Sequence, residues 1–172
     1  TFVKCLLNVA VKRGVIEKNP LQGFKLLKES SKRDVNITPE QIAELVDALP
    51  EVLGDIVEFA VYTGFRKDNI LSLKISQVKL PDISLTGNGS VDLLVKGGRW
   101  ETKPVNSNAV AILKRNIGQR TEGYVFFNPK TGTRYNRNLC TFNRTAKKLK
   151  LKTVAGDNLC FHDLRRIFST WM

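Results

Sequence analysis

DIVEFAVYTGFR, Asp55–Arg66, is apolar almost all round for ten residues and then breaks. A helix without a polar face has to be surrounded by other elements, so this segment predicts the central helix of a helical domain. Gly64 is placed to stop it, because glycine accepts the left-handed backbone that closes helices. Arg66 follows two residues later, where the chain must turn. On spacing alone this is a C-cap glycine followed by an exposed charge. Ile70, Leu71 and Leu73 then predict a second, short helix.

Upstream, Thr38-Pro39-Glu40-Gln41 reads as a helix start, with Thr38 as N-cap, Pro39 at the first helical position and Gln41 completing a capping box. Ile42, Leu45, Val46 and Leu49 follow at helical spacing and define one buried face. Before that start, residues 28–36 (KESSKRDVN) are polar and without apolar period, which predicts a linker and a domain boundary. Residues 2–13 (FVKCLLNVAVKR) are helical in pattern, with Gly14 as the stop and Asn19-Pro20 as a turn.

Downstream the pattern changes. SVDLLV and WETKPV are strand-like and are joined by Lys96-Gly97-Gly98-Arg99, a tight-turn signal. A weaker strand near Ile83 to Leu85 is a candidate third member of a small antiparallel sheet. Helical pattern resumes from Ser107 to Ile117, YVFF is a short extended run, and NPKTG is a turn. Leu139, Phe142, Ala146 and Leu149 mark another helix, with Arg144, Lys147, Lys148 and Lys150 on its other face. The fold class expected is mainly α with a small antiparallel β-sheet.

Charge narrows the function. Lys and Arg number 28 against 16 acidic residues, a net charge of +12. A surplus of that size on folded-looking sequence is an electrostatic footprint for a polyanion, nucleic acid ahead of anionic membrane. No run of 18 apolar residues and no signal-peptide pattern is present, so the expected location is cytoplasmic. Cys5, Cys140 and Cys160 lack metal-ligand spacing and read as reduced thiols packed as small hydrophobes. The first residue is Thr1, which predicts that both ends are cut from a longer protein.

The last segment, FHDLRRIFSTWM (Phe161–Met172), carries the one histidine of the sequence. On a helix, His162 and Arg165 would share a face. Leu164, Ile167, Phe168 and Trp171 would form the core face. Taken alone, this is a histidine satisfied by a carbonyl beside an arginine reaching solvent.

Together the two segments resemble a known family. TGFRKDNILSLKISQVKL is similar to the first conserved box of the tyrosine recombinases, the phage integrase family, and FHDLRRIFSTWM to their second. GVIEKNP resembles the close of the family's core-binding domain, and ITPEQIAELVDALP the first helix of its catalytic domain. The resemblance divides the chain into residues 1–29 (the end of the helical, SAM-like core-binding domain), 30–37 (linker) and 38–172 (catalytic domain, C-terminally incomplete).

That resemblance implies duplex DNA as partner and so a nucleoid-associated location, no small-molecule substrate, no cofactor or metal, and self-association on DNA in a tetrameric synapse. It implies attack by a tyrosine on a phosphodiester, giving a 3′-phosphotyrosyl link and a free 5′-hydroxyl. Arg66 and Arg165 match the two phosphate-clamping arginines, and His162 the box-two histidine. Lys96 matches the hairpin lysine that protonates the leaving oxygen, with Arg99 and Lys103 as nearby alternatives. Arg99, Lys103, Arg144, Lys147, Lys148 and Arg166 are candidate DNA-binding residues.

Two departures stand out. Asn69 occupies a position that is usually acidic, so either Arg66 is oriented differently or Asp68 takes over. None of Tyr62, Tyr124 and Tyr135 fits the nucleophile position, so the chain is expected to lack the attacking group. Two rivals remain open: a DNA-binding protein of this fold without catalysis, and an unrelated basic helical regulator.

Overall fold

The computed structural model describes residues 2–25, 33–80, 89–95, 97–136 and 138–171. Contacts divide the chain into two compact units, 1–32 and 33–172.

The first unit contains α1 (Phe2–Lys12), which ends as expected: Gly14 takes φ +69° and its N–H reaches the Val11 carbonyl. Asn19 ties the following turn to the helix, donating from Nδ2 to Asn8 Oδ1 at 2.6 Å and to the Lys4 carbonyl at 3.2 Å. None of the residues of α1 is buried, and Phe2, Leu6 and Val9 face outward.

The second unit is built round α3 (Glu51–Thr63), whose eight buried residues bear out the all-round apolar pattern. α2 (Pro39–Asp47), α5 (Ser107–Ile117) and α7 (Asp163–Trp171) pack on it. The capping box on α2 is present: the Gln41 N–H donates to Thr38 Oγ1, and the Thr38 N–H donates to Gln41 Oε1. Such a cap stabilises a helix by about 1 kcal/mol. Within α3, buried Asp55 accepts from Arg115 and from Asn116 Nδ2 at 2.6 Å, which satisfies a carboxylate inside the core.

After α4 (Lys67–Leu71), the chain forms β1 (Val78–Lys79), β2 (Gly89–Val95) and β3 (Arg99–Val105), an antiparallel sheet in the order β1-β2-β3. Val78–Lys79 pairs with β2, and the expected strand near Ile83 to Leu85 lies outside the described residues. Val95 pairs with Arg99, and Gly97 and Gly98 both take positive φ in the turn between them. α6 (Cys140–Lys148) buries Phe142 and Ala146.

Three expectations need correction. α7 begins at Asp163, so His162 sits in the turn before the helix, not on its face. The N–H groups of Asp163, Leu164 and Arg165 bond three residues back, to Cys160, Phe161 and His162, a tighter turn than an α-helix. Leu164 and Ile167 are buried and Phe168 is half-buried, but Trp171 is 40% exposed, so the core face fades toward the helix end. Cys5 and Cys140 are exposed, and Cys160 is half-buried. Cys140 begins α6 beside buried Leu139, and that single-residue step turns the thiol outward.

Candidate active site

The two boxes meet through a glycine. Gly64 closes α3 at φ +60°, and a Cβ there would lie 2.4 Å from Phe168 Cδ1. Only a hydrogen fits between that turn and the aromatic ring on α7. The Arg165 guanidinium donates from Nη1 to the Gly64 carbonyl at 2.8 Å, across 101 residues of sequence. Phe168 and Arg165 thus dock α7 on the turn that launches Arg66, which is the N-cap residue of α4.

The sheet supplies the opposite wall. Its register pairs Val91 with Lys103, Leu93 with Glu101 and Val95 with Arg99, so these six share one face. A cleft of about 290 Å³ is lined by Arg66, Asn69, Arg165, Arg99, Glu101 and Lys103, with Phe65, Leu93 and Val95 as its apolar floor. Four cations and one carboxylate share it. Glu101 Oε2 lies 2.6 Å from Lys103 Nζ. That hydrogen bond, then the Lys103 charge and more weakly Arg99, hold the Glu101 carboxyl below its usual range against a small desolvation effect. Among the described residues no carboxylate pairs with Arg66. A concave group of three guanidinium groups beside one ammonium–carboxylate pair keeps a net positive charge and is suited to a phosphate.

The other expected site residues are distributed unevenly. Lys96 lies outside the described residues, between Val95 on the cleft wall and Gly97. His162 is exposed, and its carbonyl accepts the Arg165 N–H at 3.3 Å. Arg144, Lys147 and Lys148 are exposed on α6 and do not line the cleft. Arg166 points away from it, donating from Nη1 to the Arg33 carbonyl at 3.0 Å.

Sequence reasoning missed Glu101, Asp163 and Arg33. Glu101 had a signal, since it alternates with Arg99 and Lys103 along one strand face. Arg33, read as linker, is tied into the second unit by Asp163, 130 residues away, and no local pattern announces such a pair. Asp163 is fully buried. Burial raises its carboxyl, but the Arg33 guanidinium and the Cys160 N–H outweigh that and hold it below the usual range.

Helices round an apolar α3, with a three-stranded sheet facing the turn of Arg66 and the α7 residue Arg165, form the catalytic-domain fold of the tyrosine recombinases. The chain belongs to the phage integrase family, whose sequence model matches residues 35–172. The integrase of Salmonella phage P22 is 26% identical over 188 residues, covering all of this chain and 45% of that protein. A lambda integrase (75–356) dimer bound to a COC′ core site superposes with a TM-score of 0.70 at 20% identity, covering 98% of this chain and 62% of the other. XerA recombinase gives 0.59 at 17%, covering 98% and 58%. At such identities the structural likeness speaks for the fold alone. The chain spans about half the length of the curated relatives it matches.

Among the described residues no helix is long and apolar enough to cross a membrane, and no group of three or more His, Cys, Asp or Glu is placed to hold a metal ion.

Proposed function

We propose that the protein cleaves and rejoins duplex DNA through a 3′-phosphotyrosyl intermediate, with the cleft as its scissile-phosphate site. The observation that carries this is the convergence of Arg66 and Arg165 on one concave surface, with no carboxylate on Arg66 among the described residues and a carbonyl under Arg165. In the pentavalent transition state negative charge grows on the non-bridging oxygens. Fixed cations aimed there stabilise it more than the ground state. Guanidinium stays ionised and offers a planar fork of donors, so both arginines suit the clamp.

His162, one turn before Arg165, hydrogen-bonds the phosphate or relays a proton. Lys96, which follows Val95 in the sequence, protonates the leaving 5′-oxygen. Arg99 and Lys103 contact flanking phosphates, and Arg144, Lys147, Lys148 and Arg166 extend the basic surface. The attacking tyrosine is none of the three in residues 1–172. Tyr135 is packed against the core, where burial raises its phenol above the usual range, the wrong direction for a nucleophile. Affinity is dominated by phosphate contacts, so its logarithm falls with log salt at a slope of about −0.9 per neutralised phosphate. The partner is duplex DNA, and self-association takes place on it; the lambda integrase tetramer bound to a Holliday junction is a relative that assembles so.

A nicked suicide duplex tests the reading. The full-length protein should form a covalent protein–DNA adduct at a rate that R66A and R165A each lower by about 10²–10³ while retaining most binding. The 172-residue chain should form none. Equal loss of cleavage and binding in both variants would sink the catalytic assignment and favour a DNA-binding role alone.

A further inference from the structure

We propose that Arg33 is a positioning residue for strand cleavage, clamping Asp163 so that the turn bearing His162 and the first turn of α7 bearing Arg165 hold one geometry. The inference rests on reading the cleft as the phosphate site. Arg33 Nε donates to Asp163 Oδ1 at 2.8 Å and Nη2 to Oδ2 at 3.0 Å, a two-point clamp. Its remaining donors reach Asp157 Oδ2 at 3.0 Å and the Asn158 carbonyl at 2.8 Å. The Asp163 carboxylate also accepts the Cys160 N–H at 2.8 Å. Residues 157–163 are therefore held to one guanidinium at three points. Arg166 closes the ring by donating to the Arg33 carbonyl.

The placement of these contacts matters more than their number. Asp163 lies between His162 and Leu164, and Arg166 directly follows Arg165, so the clamp grips the chain on both sides of the catalytic arginine. Asp163 is fully buried, whereas the Arg33 side chain is 31% exposed. Removing Arg33 opens no core cavity. It leaves a buried carboxylate without its cation, and such a group moves toward water or takes up a proton. Either response shifts the turn that presents His162. Asp157 is 62% exposed and can turn to solvent instead, so the disturbance stays at Asp163. Lysine keeps the charge but cannot reproduce a planar fork engaging three acceptor residues.

The test compares R33A, R33K and D163N in the full-length protein. It reads the cleavage rate at saturating suicide duplex, the Kd with its salt slope, and the Tm. R33A should slow cleavage tenfold or more while Kd changes less than threefold and the salt slope stays unchanged. R33K should recover part of the rate, and D163N, isosteric but uncharged, should fall near R33A. An unchanged rate in R33A, with R66A still slowed, overturns this inference alone. A shallower salt slope in R33A makes Arg33 a phosphate contact and overturns it too. Should R33A fail to fold, wild-type rates in both R33K and D163N overturn it. Absence of any adduct from the wild type overturns the cleft assignment and this inference with it.

Discussion

Four arginines divide into two pairs. Arg115 and Arg33 each grip a buried carboxylate, Asp55 on α3 and Asp163 at the head of α7. Their guanidinium pKa values are raised above the ordinary value chiefly by those side-chain hydrogen bonds. Among the described residues Arg66 and Arg165 have no carboxylate partner, only a backbone carbonyl in the case of Arg165. The first pair holds the frame, because removing the cation strands a buried charge. In the proposed reading the second pair awaits an anion from outside. The same side chain does two jobs, and what separates them is whether the protein has already supplied the counter-charge.

The largest expected effect breaks that contrast directly. R66A in the full-length protein should cost about 10²–10³ in cleavage rate, the range for losing one transition-state charge stabiliser. Its Tm should stay near the wild type. R115A should do the reverse, lowering stability by about 1–3 kcal/mol, discounted because Arg115 is half exposed and Asn116 still serves Asp55. Cleavage at saturating DNA should survive. Suicide-duplex kinetics beside thermal melting separate the two, and identical profiles would erase the distinction.

Next in size is G64A, compared with G132A. The two glycines have almost the same backbone, φ +60° and +65°, so the left-handed strain is common to both, about 1 kcal/mol or somewhat more. Gly132 has open space around it, whereas Gly64 faces the Phe168 ring. Displacing that ring adds about 1–3 kcal/mol of overpacking. Melting should show G64A clearly worse, with cleavage lost as α7 lifts from the turn. Equal Tm values would mean that the box-to-box contact is not tight.

How much of this was legible depends on distance along the chain. Thr38-Pro39-Glu40-Gln41, Gly64 and the Gly97-Gly98 turn speak through local chemistry, and each sits where sequence grammar put it. Periodicity found α3, because an all-round apolar helix has one solution. It misplaced His162, since a spacing of three fits a tight turn as well as an α-helix, and Asp163 takes the Cys160 N–H to choose the turn. Trp171 fits the apolar period but not the burial, because period fixes a face and not how far the neighbouring helix covers it. Arg33 looked like linker because its partner lies 130 residues on, and composition cannot distinguish a solvated charge from one with a distant buried acid.

Asp163 also predicts a pH response. Against the upward push of burial, its folded pKa is depressed below the ordinary aspartate value, chiefly by the Arg33 guanidinium, so the clamp contributes fully above about pH 4, where the unfolded carboxyl is also ionised. That contribution is lost as pH falls below the ordinary value and through the depressed folded value. Acid titration of stability should therefore be flatter in R33A than in the wild type over that window. Parallel curves would place the stabilisation of Asp163 elsewhere than on Arg33.

The smallest effect concerns the one carboxylate inside the cleft. Glu101 sits among Arg66, Arg99, Lys103 and Arg165 and is paired to Lys103 at 2.6 Å, which fills part of the site with the wrong sign for a phosphate. Phosphate entry has to part that pair or lie beside it. E101Q keeps the shape and removes the charge, so duplex affinity should rise about two- to threefold at low salt. The log–log salt slope should steepen by up to about 0.9 as Lys103 is freed for one more phosphate. Both gains should shrink at high ionic strength, because the pair is solvent-exposed and screened. If E101Q instead lowers cleavage at unchanged affinity, Glu101 is orienting the cations in the role that Asn69 cannot fill. The cleft would then resemble the Arg33 and Arg115 sites, where a carboxylate holds the cation in place.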